Sequence, residues 1–148
     1  MKRPKYNDDY PTCLETFSTL RIFSEKLSPT EVTKILKIKP TESFQKGEPL
    51  NKGKLHRKTN GWFFETENTV KSRDTRRHID FILQAVGRKG RAIKNLHQKG
   101  CQLDIISYFV STGQGGPALW PHQMLKLGQL GVEIWWDVYF KQEDEKAK

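Results

Sequence analysis

The chain has 148 residues, 35% of them apolar and 29% charged, with sixteen aromatics spread over its length and a formal net charge of +9. That length is one domain's worth, the composition excludes wholesale disorder, and no apolar run approaches the roughly 20 residues of a membrane helix. The start, "MKRPKYNDDYPT", is charged and carries no apolar signal-peptide core, so a cytoplasmic protein is expected.

Taken in order, residues 1–12 read as a flexible tail, 13–140 as one α+β domain and 141–148 as a charged tail. The first strand signal is "TFSTLRIF", rich in β-branched and aromatic residues. "LSPTEVTKILKI" follows from Leu27, with apolar residues at helical spacing, Ser28 as N-cap and Pro29 in the first turn. "GWFFETE" is the next strand, reached through a long basic loop. Asp74–Lys99 is an amphipathic helical segment, with Ile79, Ile82, Leu83, Val86, Ile93 and Leu96 in phase. Gly87 and Gly90 are expected to break or kink it, at about 1 kcal/mol each in a helix interior. "LDIISYFV" is a third strand, and "LWPHQMLKLGQL" from Leu119 a second short helix. In the last strand, "VEIWWDVYF", Val132, Ile134, Trp136, Val138 and Phe140 share one face and are expected in the core.

The two short helices superpose: Leu27 meets Leu119, Pro29 meets Pro121, Lys34 meets Lys126, and Val32, Ile35 and Ile38 meet Met124, Leu127 and Leu130. With strands on either side of each, the chain reads as a duplicated βαβ. The expected fold is therefore α+β, a ferredoxin-like, four-stranded, mostly antiparallel sheet with an extra connecting helix. Cys13 and Cys101 read as two reduced thiols, with a disulfide as the lesser alternative.

The charge is unevenly placed. Lys46–Lys58 carries +4 and Lys71–Lys99 carries +7, together more than the whole chain. Such clustering points to an anionic partner, against the plain alternative of a solvated basic surface. Arg57, Lys58, Arg77, Arg88 and Arg91 are the candidate anion or nucleic-acid contacts.

No nucleophile-elbow, phosphate-loop or zinc-protease pattern is present, and His56, His78, His97 and His122 are scattered, so neither an active site, a metal nor a cofactor is expected. Trp135 and Tyr139 share the outer face of the last strand and could stack bases in the manner of an RRM sheet. Glu133 and Asp137 lie on that face, however, and would repel phosphates. The loop "GQGG", Gly113–Gly116, stands between a strand and a helix, where backbone N–H groups can hold an anion; a tight turn is the plainer account. "QKGEP" reads likewise as an exposed turn or a partner site.

The ordered set "LRI", "LSPTEVTKILKIKPTES", "KGEP", "GWFFET", "GQGG" and "LGVEIWWDVYF" resembles a bacterial family of uncharacterised domains, the domain-of-unknown-function family numbered 4279. The resemblance runs from about Thr19 to Phe140. It implies a small single-domain protein and supplies no catalytic residues. The expected function is a non-enzymatic binding module recognising a protein or a small acidic ligand through Lys46, Gly47, Trp62, Gln114, Gly115 and Gly116. Nucleic-acid binding through the basic helix and loop, and a toxin-neutralising immunity role, are the alternatives. A monomer or a homodimer fits either.

Overall fold

The computed structural model describes residues 4–141. The "TFSTLRIF" signal lies inside the longest strand, β1 (Cys13–Ser24). Ser28 caps α1 (Pro29–Leu36), its side chain accepting the Glu31 N–H at 3.2 Å, with Pro29 in the first turn. A short strand β2 (Glu42–Phe44) and a long loop lead to β3 (Asn60–Glu65). Next come α2 (Thr75–Val86) and α3 (Gly90–Gln98), separated at the expected glycines, then β4 (Gln102–Ser111), α4 (Pro121–Leu130) and β5 (Glu133–Phe140).

These strands form one open sheet in the order β2-β3-β1-β4-β5. β1 pairs antiparallel with β3 and β4, and β2 antiparallel with β3, whereas β5 runs parallel to β4. The sheet is thus mixed and has five strands rather than four. The additional strand, "ESF", is three residues long with one apolar side chain, too short to show a period of two. The two βαβ copies are also not equivalent. α4 joins neighbouring parallel strands, while α1 leads to β2, which runs parallel to β1 with β3 between them.

One apolar core lies between the helices and one face of the sheet. Leu20 and Ile22 of β1, Trp62 of β3 and Leu103 and Ile105 of β4 meet Val32 and Leu36 of α1, Ile79 and Ile82 of α2, Ile93 and Leu96 of α3, and Leu127 and Leu130 of α4. Each aliphatic side chain buried there contributes about 2 kcal/mol. On α4 the inward position expected for Met124 belongs to Gln123: Met124 is exposed and Gln123 fully buried. The Gln123 amide nitrogen donates to Asp80 Oδ1 at 2.7 Å and to the Arg76 carbonyl at 2.9 Å, while its oxygen accepts the Trp120 N–H. β5 departs further from expectation. Val132 and Ile134 join the core, but Trp136 is 40% and Phe140 76% exposed, because among the described residues no helix lies beyond α4 to cover the outer strand.

Beneath α2 the core turns polar. Ser18 and Ser107 are 2.9 Å apart across β1 and β4. Thr66 Oγ1 accepts the Ser18 N–H and lies 2.6 Å from His78 Nδ1. His78 Nε2 sits 2.9 Å from the Ser72 carbonyl, which only accepts, so Nε2 carries the proton and Nδ1 accepts from Thr66. Every buried group in this column has a partner. Of the segment expected as a flexible tail, residues 1–3 lie outside the described residues, while Tyr6, Asn7 and Asp8 are tied to α2: the Asn7 N–H donates to Asp74, Asp8 pairs with Arg77, and Tyr6 hydrogen-bonds Asp80. The charged C-terminal tail, apart from Lys141, lies outside the described residues.

Cys13 and Cys101 are buried and free, at opposite ends of the β1–β4 ladder. That distance is far beyond the roughly 5.5 Å between Cα atoms that a disulfide spans. Burial pushes the Cys13 thiol up to about 11, so it is a poor nucleophile near neutral pH.

Two outcomes follow from this packing. A Cβ on Gly61 would stand 2.2 Å from the Phe44 ring, which is itself held edge-on against Phe63. Gly61→Ala should cost about 2 kcal/mol in urea unfolding, and pairing it with Phe44→Ala should recover part of that loss.

The second outcome concerns pH. Burial holds the His78 imidazole below its ordinary 6.5, so the unfolded chain takes up a proton that the folded one resists. This contribution is complete above pH 6.5 and is lost as pH falls below it. Glu65 acts in the opposite direction. Burial, with Glu67 and Glu42 close by, raises it from 4.5 to about 7, so its cost to the fold grows as pH rises through that window. In thermal melts over this range, His78→Gln should flatten the acid-side fall and Glu65→Gln should steepen it. An unchanged slope in His78→Gln would contradict this assignment.

Candidate functional site

The residues expected to form one binding site do not meet. Lys46 and Gly47 belong to the β2–β3 loop, which satisfies itself: the Lys46 N–H donates to Asn60 Oδ1 at 2.8 Å and the Gly47 N–H to the Arg57 carbonyl at 2.9 Å. Trp62 is 1% exposed, its indole N–H donating to Thr33 Oγ1, so it is core and out of reach of a partner. Gln114, Gly115 and Gly116 follow β4 at the other end of the sheet, where Ser111 pairs with Cys13. Asn60, which anchors Lys46, pairs with Ser24. The length of β1 therefore separates the two loops, roughly 35 Å at about 3.3 Å per residue. Gly115 itself has an architectural reason: at φ +108° its absent Cβ would lie 2.2 Å from the Tyr10 hydroxyl.

The five candidate cations also divide. Arg77 is paired with Asp8 and lies over the Tyr6 ring, and Arg57 sits 4.0 Å over the Phe44 ring. Both are engaged inside the fold. Lys58 is exposed in the β2–β3 loop, while Arg88 and Arg91 are exposed where α2 gives way to α3.

There α1 and α3 form a groove of about 710 Å³, lined by Lys37, Lys89, Arg91 and Lys94 over an apolar floor of Ile35, Leu36 and Ala92. Among the described residues no carboxylate lines it. Lys37 ends α1 in the left-handed conformation, φ 57°, which turns the chain away and leaves its side chain at the rim. Lys89 reaches across from α3, its ammonium donating to the Leu36 carbonyl at 2.6 Å, a cation at a helix C-terminus. At Gln98 the groove meets a second one of about 610 Å³, carrying Lys26, Lys99 and one acid, Glu25. Sequence reasoning picked out Arg91 alone from this set. Arg91 and Lys94 lie three apart on one helix face, a signal that was available. Lys37 is brought in from another helix, and nothing local announces it.

The opposite face of the sheet is different in kind. The pairing registers place Phe17, Phe23, Phe63, Tyr108, Trp135 and Tyr139 on the side away from the helices. Glu15, Glu42, Glu65, Asp104, Glu133 and Asp137 lie on the same side, with Arg21 as the strands' one cation there, held by Asp104 at 2.8 Å. Phe23, Phe63 and Phe44 pack edge to face at one end, and Phe17, Tyr108 and Tyr139 cluster at the other. The molecule is thus two-sided, with a basic helical layer and an acidic, aromatic sheet face.

Among the described residues, no group of three or more His, Cys, Asp or Glu side chains is arranged to hold a metal ion, and no helix is long and apolar enough to cross a membrane. No curated protein and no solved structure matches the chain significantly. A family model described as a domain of unknown function, DUF4279, matches residues 14–141. That span takes in both loops, the α1–α3 groove and all of the sheet but Cys13, and the chain belongs to the DUF4279 family.

Proposed function

We propose that the protein is a non-enzymatic binding module that takes the phosphate backbone of a nucleic acid along the groove between α1 and α3. One observation carries the reading: three cations at the start of α3, Lys89, Arg91 and Lys94, and a fourth from the end of α1, Lys37, line one groove that among the described residues no carboxylate lines. A second groove that shares Gln98 with it adds Lys26 and Lys99 beside one acid, Glu25, and extends the cationic surface available to a linear polyanion. The sheet face, with its six carboxylates, repels phosphates, so base stacking there in the RRM manner is disfavoured. The architectural part of the proposal is that β1–α1–β2–β3–α2/α3–β4 forms a ferredoxin-like unit, with α4–β5 appended at its edge. The strand order β2-β3-β1-β4 supports it.

Binding of labelled single- and double-stranded oligonucleotides tests the idea by anisotropy across a salt series. With about four phosphates contacted, affinity should fall about 100-fold between 50 and 200 mM salt. Arg91→Glu with Lys94→Glu should weaken binding at least tenfold and lower the salt slope by about two, with the melting temperature unchanged. Lys52→Glu with Lys54→Glu, in the β2–β3 loop, should have little effect. A flat salt response, or an equal loss from the loop variant, would remove the groove from consideration.

A further inference from the structure

β5 is an edge strand, bonded to β4 on one side and to no strand on the other among the described residues. Edge strands are ordinarily blunted by lysine, proline, a bulge or brevity. β5 has no lysine, proline or bulge within Glu133–Phe140, its register with β4 running unbroken from Asp104↔Glu133 to Ser111↔Phe140, and its only charges are two acids on one face, Glu133 and Asp137. The far edge, β2, has only three residues. β5 is also unusually apolar for an open edge, with Trp135 57%, Trp136 40%, Tyr139 51% and Phe140 76% exposed.

Its two faces ask for different things. On the helix side, Ile134 and Trp136 border an apolar groove of about 430 Å³ whose other wall is Leu119, Met124, Leu127 and Gly128. On the open side, Glu133 and Asp137 stand four residues apart with Trp135 between them. Glu133 accepts the Trp135 indole N–H at 2.9 Å and keeps further acceptor capacity. A strand laid along this edge would set apolar side chains toward the α4 groove and, in either direction, cations opposite Glu133 and Asp137.

We propose that β5 captures an extended segment of a partner protein in which basic and apolar residues alternate, adding it as a sixth strand. Backbone hydrogen bonds would supply affinity, and the acid–aromatic face together with the α4 groove would supply selectivity. Charge decides against a second copy as occupant, because β5 paired with itself gathers four carboxylates on one side of the seam. The site lies on a different element from the α1–α3 groove and does not depend on it.

A labelled peptide of about ten alternating lysine and valine residues serves as probe. It should bind and slow exchange of the outward β5 amides, while a peptide with its lysines and valines in two blocks should not. Glu133→Lys with Asp137→Lys should lose the probe at least tenfold and gain the corresponding glutamate–valine peptide. That reversal separates recognition from a folding defect. Arg91→Glu with Lys94→Glu should leave peptide binding intact, and the β5 double variant should leave oligonucleotide binding intact. Equal binding of the block peptide, no reversal with the charge-swapped pair, or self-association abolished by the β5 variants would each overturn the proposal.

Discussion

The hand of three crossovers governs this molecule. β1 and β2 run parallel with β3 between them, β3 and β4 run parallel with β1 between them, and β4 and β5 are parallel neighbours. A connection between parallel strands of one sheet is right-handed in nearly all proteins. The first crossover leaves β1 toward the β2 edge. The other two leave strands of opposite direction toward the β5 edge. Reversing both the strand direction and the lateral step keeps the hand and the face the same. All helices must then lie on one side, where the single core joins them, and the other side of the sheet is left bare.

The distribution of charge follows from that asymmetry. A sheet with one covered face can alternate apolar and polar residues, but here β1, β3 and β4 do so only in part, with Phe17, Phe23, Phe63 and Tyr108 on the open face and Ser18 and Ser107 on the covered one. The bare face is satisfied by an ion pair, aromatic clusters and carboxylates rather than by a second layer. The excess positive charge is left to helices and loops. α1 and α3 lie side by side on the covered face, so Lys37 and Lys94 share a groove although more than fifty residues separate them in sequence. Topology, rather than any local motif, assembles the basic channel.

The same topology explains what was legible in the sequence. Periodicity and capping are local, and they located β1, β4 and β5, the proline-led starts of α1 and α4, and the break after Val86. Strand neighbours and strand direction are not local. The similarity between Leu27–Ile38 and Leu119–Leu130 correctly marked two crossover helices, yet it could not show that one of them skips a strand. β2 left no trace because three residues cannot display alternation. Gln123 left none because its burial depends on Asp80 and the Arg76 carbonyl, which come from another helix. Trp62 reads in sequence as a ligand-binding aromatic because burial of a tryptophan beneath α1 is indistinguishable there from its display beside a basic loop.

The "GQGG" loop and the β5 edge show how packing sorts apparent function from real exposure. The loop has the composition of an anion site, but Gly115 is needed because Tyr10 presses against the backbone there. Once the segment before β1 is tied to α2 through Asn7 and Asp8, that approach follows, and the glycine serves closure of the fold. β5 reads in sequence as a strand with one core face and one acid–aromatic face, and nothing in it announces that it will stand at the sheet's edge. It becomes conspicuous only because three crossovers of one hand place it at the rim, past the last helix. Its aromatics are then left exposed in a chain that buries Trp62 completely and Trp120 by half. What sets β5 apart is therefore exposure of large aromatics on an edge without lysine, proline or bulge, a property of the topology rather than of any local motif.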